Sequence, residues 1–297
     1  MLNFSNNNSV SSWRSLALGL LMLCLCSLND SYALTYYTRA SGNWSLNTSW
    51  STAGCGGAAA ATTPGSTDAV VICAGYTIGV NVNATIASVT IQNGGVLRTG
   101  TTLLGANKTL TITGTFAINN GGTHIHNNTQ LASSTIFAGT EVFGASSTFQ
   151  VDDWSSINDM LITGCTSNFG HVNLNWDSGL SWWNNNGLGY TRTIAGTLTV
   201  DGSCATYLDN TAGNKTFSIG AVTLNDGWLR IKQTGTGNIT VNVTGGISLT
   251  NASSLLYGMY GVGGDITINA ATITQDNGTF YGIYGGLGNI TFNISGL

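Results

Sequence analysis

The sequence predicts an all-β chain wound as a parallel β-helix of about 25 residues per coil, with a β-sandwich as the alternative. Three observations predict it. The chain is built from Asn, Thr, Ser and Gly with very little charge, its apolar segments alternate strictly with polar residues, and one phrase returns at nearly even spacing toward the C-terminal end.

Charged residues make up 7% of the 297 positions and apolar residues 42%, with 41 Gly and a single proline, Pro64. An average soluble domain carries roughly 25% charge, and a disordered chain would be poorer in apolar residues and richer in Pro. Thr fits a pleated strand, and Gly and Asn tolerate the positive φ of tight corners, so this composition suits short strands joined by sharp turns.

Residues 1–33 are set apart by Arg14, the apolar run "SLALGLLMLCLCSL" and then "SYA". This is the pattern of a secretory signal peptide, with Ser31 and Ala33 at the small-residue positions of a cleavage site. The run is short for a membrane span, and no later stretch reaches 18 consecutive apolar residues, so an exported chain beginning near Leu34 with no membrane span is expected. A lipid anchor on Cys24 or Cys26 is disfavoured by Leu23 and Leu25, which stand where small residues are needed. Removing the leader takes away Arg14 and Asp30 and leaves the net charge at −4. That sign offers phosphates nothing, so no nucleic-acid partner is expected.

Export makes Cys55, Cys73, Cys165 and Cys204 candidates for two disulfides. Three pairings are possible, and Cys55 with Cys73 and Cys165 with Cys204 is expected because each pair is nearest in sequence. Four buried thiols are the alternative. Zinc is not expected, since no C-x-x-C or H-x-x-x-H spacing is present.

The strand signal is clearest in "GNITVNVTGG" at Gly237–Gly246, where Ile239, Val241 and Val243 fall on one face and Asn238, Thr240, Asn242 and Thr244 on the other. "NKTLTITG" from Asn107, "GTLTVDG" from Gly196 and "NKTFSIG" from Asn214 alternate in the same way and end in Gly. No segment after residue 33 carries apolar residues at helical spacing.

The phrase returns as "GDITIN" from Gly264 and "GNITFNISG" from Gly288, offsets of 27 and 24 residues. A strand that recurs about every 25 residues is the mark of a solenoid, in which each coil leaves an apolar edge that only the next can cover. The strands of a sandwich would each meet a different environment and have no reason to repeat. The 264 residues after the leader would make a rod on the order of 50 Å long.

Tyr36–Gly122 resembles the opening of large secreted repeat proteins of Bacteroidota, many of them exported by the type IX system. The matching residues are "SGNWSLNTSW" at Ser41–Trp50, "CGG" at Cys55, "PGSTDAVVICAGYTI" at Pro64–Ile78 and "ASVTIQNGGVLRTG" at Ala87–Gly100. The stretch is also distantly similar to the eight-glycine extracellular domain. The resemblance implies a right-handed β-helix over 34–297, a capping segment over 34–75 that contains Trp44 and Trp50, an extracellular or cell-surface location, and no enzyme activity. Such proteins commonly end in a sorting domain, whereas this sequence stops at "NITFNISGL" within its repeat. A truncated chain, or a last coil covered by a partner, is therefore expected.

Three groups of residues are candidate sites. "THIH" sets His124 and His126 on one strand face, where His171 or Asp152 could complete a metal site. Solvated polar positions on the outer face are the simpler expectation, and no metal or cofactor is predicted. Asp152, Asp153 and Asp159, with Asp177 beyond, could serve glycan cleavage, which needs two carboxyl groups with one of raised pKa. Glu141 is the single glutamate and no Lys or Arg lies between Lys108 and Arg192, so turn-forming aspartates are the expected reading and no catalytic residue is predicted. The third group, in "NLNWDSGLSWWNNNGLGY", offers Trp176, Trp182, Trp183 and Tyr190 as a sugar platform, with core filling as the alternative.

The function expected from all of this is that of a non-enzymatic, exported structural or adhesive element whose uncharged faces make weak, repeated contacts with surface glycans or other cell-surface proteins. A polysaccharide-active enzyme and a glycan-binding module are the competing readings.

Overall fold

The computed structural model describes residues 33–99, 108–128, 140–154, 168–175, 180–181, 190–202, 205–209, 213–232, 236–260, 263–284 and 288–296. The chain divides into Met1–Ala33 and Leu34–Leu297, and apart from Ala33 every described residue belongs to the second unit.

The opening holds β1 (Thr35–Thr38), β2 (Gly42–Asn43) and β3 (Trp50–Ser51). Three short strands per coil come next: β4 (Ala69–Ile72), β5 (Thr77–Gly79) and β6 (Ala84–Ile86), then β7 (Ser88–Ile91), β8 (Val96–Thr99) and β9 (Leu110–Ile112). The middle coils carry β10 (Thr115–Ile118), β11 (Thr123–Asn128), β12 (Thr140–Phe143), β13 (Thr148–Trp154), β14 (His171–Asn175) and β15 (Leu180–Ser181). Later coils alternate one long strand with one short one: β16 (Tyr190–Asp201) and β17 (Ala205–Asp209), β18 (Lys215–Leu224) and β19 (Trp228–Lys232), β20 (Ile239–Leu249) and β21 (Leu255–Tyr260), β22 (Ile266–Gln275) and β23 (Thr279–Tyr284), and finally β24 (Ile290–Ile294).

An 11-stranded sheet runs from β2 through β5, β8, β11, β13, β14, β16, β18, β20 and β22 to β24. A six-stranded sheet built on β1, β3, β4, β7, β10 and β12 covers the first coils, and a five-stranded sheet of β15, β17, β19, β21 and β23 covers the later ones. Every described pairing is parallel except β1 with β3. A sandwich joined by hairpins would be antiparallel, so the chain is the parallel β-solenoid that its repeat predicts. Contacts one coil apart recur at 24 to 27 residues.

The core consists of in-register ladders. Along the long sheet, Ile78, Leu97, His124, Phe149, Val172, Leu198, Val222 and Ile247 are successive register partners, and none is more than 3% exposed. Branched and aromatic side chains fill this stack because each meets its like on the neighbouring coil, the arrangement a pleated surface packs best. The long strands bend where their register slips, after Ile194, Ile219 and Val243. In β18 the close approach of coils at the bend requires glycine: a Cβ on Gly220 would overlap the Gly196 carbonyl oxygen.

Corners are held by amide side chains that bond the backbone of the next coil. The Asn238 N–H donates to Asn214 Oδ1 at 2.9 Å, Asp265 N–H to Asn238 Oδ1 at 2.9 Å, and Asn289 N–H to Asp265 Oδ1 at 3.1 Å. Asn214, Asn238 and Asp265 each thus satisfy a backbone donor one coil on.

The first coil is bound by polar staples. Trp44 and Trp50 are buried and meet edge to face at 5.0 Å, with Trp50 Nε1 donating to the Trp44 carbonyl at 2.8 Å. Asp68 accepts from the N–H of Leu34 at 2.8 Å and of Gly65 at 2.7 Å. Arg39 Nε donates to the Gly57 carbonyl at 2.8 Å. Cys55 and Cys73 form a disulfide with Cα atoms 6.0 Å apart, as sequence proximity predicts. Cys165 and Cys204 lie outside the described residues.

Candidate functional site

The histidine pair is not a surface feature. His124 is 1% exposed and His126 3%, which corrects the expectation of solvated outer positions. Parallel register decides this: β11 sets His124 between Leu97 and Phe149 and His126 between Thr99 and Val151, all inward positions. The His124 ring packs 5.3 Å from both Phe116 and Phe149, and His126 Nδ1 lies 3.2 Å from Thr99 Oγ1. Burial lowers the His124 pKa to about 3. Burial, and then the charge on His124, hold His126 well below the ordinary value.

His171, offered with Asp152 as a third ligand, accepts the Thr197 N–H at Nδ1, 3.0 Å away. Among the described residues no group of three or more potential ligands gathers. A signal for the burial was present in the sequence: "NGGVLRT" at Asn93–Thr99 and "NGGTHIH" at Asn120–His126 share the turn that sets register, and superposing them puts His124 on Leu97.

Among the described residues the acidic side chains form no cluster of three. Asp152 is half-buried on β13 and accepts from Gln150 Nε2 at 2.5 Å. The Asp153 backbone stands opposite Asn127, and Asp159 and Asp177 lie outside the described residues. Glu141 is in another sheet, at 8% exposure, as the register partner of Phe116 at the end of the ladder Tyr36, Val70, Val89, Phe116. The single glutamate thus takes an inward position, away from any shared groove with Asp152. Of the aromatic platform, Trp176, Trp182 and Trp183 lie outside the described residues, and Tyr190 is placed as backbone, opposite Lys215.

What the described residues do assemble is an uncharged, periodic outer face. Thr191, Thr216, Thr240, Thr267 and Thr291 are register partners on five successive coils. Two residues on, Thr193, Ser218, Asn242, Asn269 and Asn293 form a second rank. Coil spacing puts rank neighbours about 4.8 Å apart, and the two ranks are separated by about 7 Å. Neither rank contains a charged residue.

The amides of the second rank bond one another along the axis: Asn269 Nδ2 donates to Asn242 Oδ1 and Asn293 Nδ2 to Asn269 Oδ1, both at 2.7 Å. Beside them, where the strands bend, runs an open groove of about 410 Å³ that Thr244, Ala271 and Ser295 also line. Composition hinted at this face, but no single residue marked it; it exists because parallel register puts like upon like.

Compared with protein-family profiles, curated proteins and solved structures, the chain has no significant match.

Proposed function

We propose that the chain is a non-enzymatic, exported structural and adhesive element of the cell surface or extracellular space. The observation that carries this reading is the pair of uncharged ranks repeated in register on five coils. A rod that presents one small hydrogen-bonding motif many times gains avidity from repetition, with no single strong contact required.

Other features support the same reading. Residues 1–33 have the composition of a secretory leader, and the Cys55–Cys73 disulfide suits an oxidising compartment. The resemblance of Tyr36–Gly122 to secreted repeat proteins of Bacteroidota points to the same location and to export by the type IX route. The burial of Glu141 and the engagement of Asp152 by Gln150 favour scaffold over carbohydrate-cleaving enzyme. Among the described residues no helix is long and apolar enough to cross a membrane.

The test is a flow assay in which beads coated with the purified chain, starting at Leu34, pass over glycan-bearing surfaces and intact cells. The same protein is incubated with a panel of polysaccharides. Retention on a surface that rises steeply with bead loading is expected, with no reducing or unsaturated ends released. Turnover of any polysaccharide, abolished by Asp152→Asn, would replace this reading with the enzymatic one.

A further inference from the structure

We propose that the groove beside Asn242, Asn269 and Asn293 binds an uncharged glycan chain laid along the solenoid axis. The inference deepens the adhesive reading by naming its ligand, and it rests on that reading for its setting.

The lining sets the chemistry. Three amides, two hydroxyl residues and the Ala271 methyl line the groove, with the buried Val243 and Ala270 beneath it, and among the described residues no charged side chain lines it. An anionic ligand would give up its hydration there without gaining an ion pair. The volume of about 410 Å³ falls within the range of small-ligand sites, which combine mostly apolar walls with a few fixed polar groups.

The amide stack supplies those fixed groups. An Asn side chain has two N–H donors and a carbonyl with two lone pairs. Asn269 spends one donor on Asn242 and one lone pair on Asn293, so one donor and one acceptor site remain for a ligand. Hydroxyl groups, which donate and accept together, match that alternating offer, while the apolar floor meets the C–H face of a sugar ring. Because the amides are already locked by one another, little side-chain freedom is lost on binding.

The site is also periodic, one amide per coil at about 4.8 Å, which fits a polymer of repeated units. An extended peptide does not fit. Asn242 and Asn269 stand on β20 and β22, which are paired on both sides, and only β24, with Asn293, ends the sheet, so a strand could be added past Asn293 but not along the groove.

The experiment uses the purified chain from Leu34 and calorimetry with hexasaccharides of neutral glucan, mannan, xylan and chitin, with oligogalacturonate as the charged probe. At least one neutral hexasaccharide binds, and oligogalacturonate does not. Asn269→Leu, close in size but without the amide, weakens that binding at least tenfold. Ala271→Leu, which fills the groove and leaves the stack intact, does the same with an unchanged melting temperature, so a folding defect in the first variant does not decide the matter. Thr223→Ala, on another face, binds as the parent does. Absence of binding by every neutral probe, binding of oligogalacturonate alone, or full affinity in Ala271→Leu would overturn the proposal. If the groove fails in this way while coated beads still adhere, the ligand assignment falls and the adhesive reading stands.

Discussion

Ile266 lies directly opposite Ile239 in parallel register, and the two side chains are 0% and 1% exposed. Ile290 follows on the next coil, so the residue that makes the phrase recognisable is the residue that stacks on its own copy. Replacing Ile266 by Ala removes the middle of this ladder and is expected to cost about 2 to 5 kcal/mol, whereas Thr267→Ala on the outer face costs about 0.5 kcal/mol or less. Ile266→Asp is expected to exceed both, because a charge would sit between apolar neighbours. Urea unfolding of the three variants checks the order, and equal losses for Ile266→Ala and Thr267→Ala would contradict the ladder.

The buried histidines make the fold acid-sensitive. Their folded-state pKa values lie below the usual 6.5, at about 3 for His124 and well below 6.5 for His126. Between the folded and unfolded values the unfolded chain binds more protons, so stability is complete above pH 6.5 and falls as the pH drops toward 3. The slope is at most about 1.4 kcal/mol per pH unit for each histidine. His124→Leu, which extends the apolar ladder from Leu97, is expected to flatten the dependence of the urea midpoint between pH 7 and pH 4.5. A parallel decline in parent and variant would refute the assignment.

The phrase begins with glycine for a steric reason. A Cβ on Gly237 would overlap the carbonyl oxygen of Gly213 on the preceding coil, so Gly237→Ala must push two coils apart. A loss of about 1 to 3 kcal/mol is expected, read as a lower melting temperature with an unchanged far-ultraviolet spectrum. A neutral substitution would show that the corner relaxes freely.

Peptide mapping of the unreduced protein should recover a linked Cys55–Cys73 peptide, and Cys73→Ser should cost about 3 kcal/mol through the freed unfolded chain. Because the loop closes across the first coils, hydrogen exchange should quicken there before it does in β20 and β22. Two free thiols at these positions would remove this staple from the fold.

Much of the architecture is legible in the sequence because the signals are local. Strict alternation in "NITVNVT" tells inward from outward by itself, and the return of "GNIT" or "GDIT" at offsets of 27 and 24 residues excludes folds whose strands have dissimilar neighbours. The corner role of Asn238, Asp265 and Asn289 follows from their place before each strand. The histidines escape such a reading because a polar pair at i and i+2 looks solvent-facing when taken alone. Only the register with Leu97 and Phe149 shows which face it shares.

Local sequence thus determined that the chain is β, that its strands have two unlike faces, and that they recur at one spacing. Tertiary structure alone decided that His124, His126 and Glu141 occupy inward positions, and that three asparagines from separate repeats bond into one rank beside a groove. The reason is physical: alternation depends on the two-residue period of a single strand, whereas a rank depends on which residues of coils about 25 positions apart come to lie about 4.8 Å from each other.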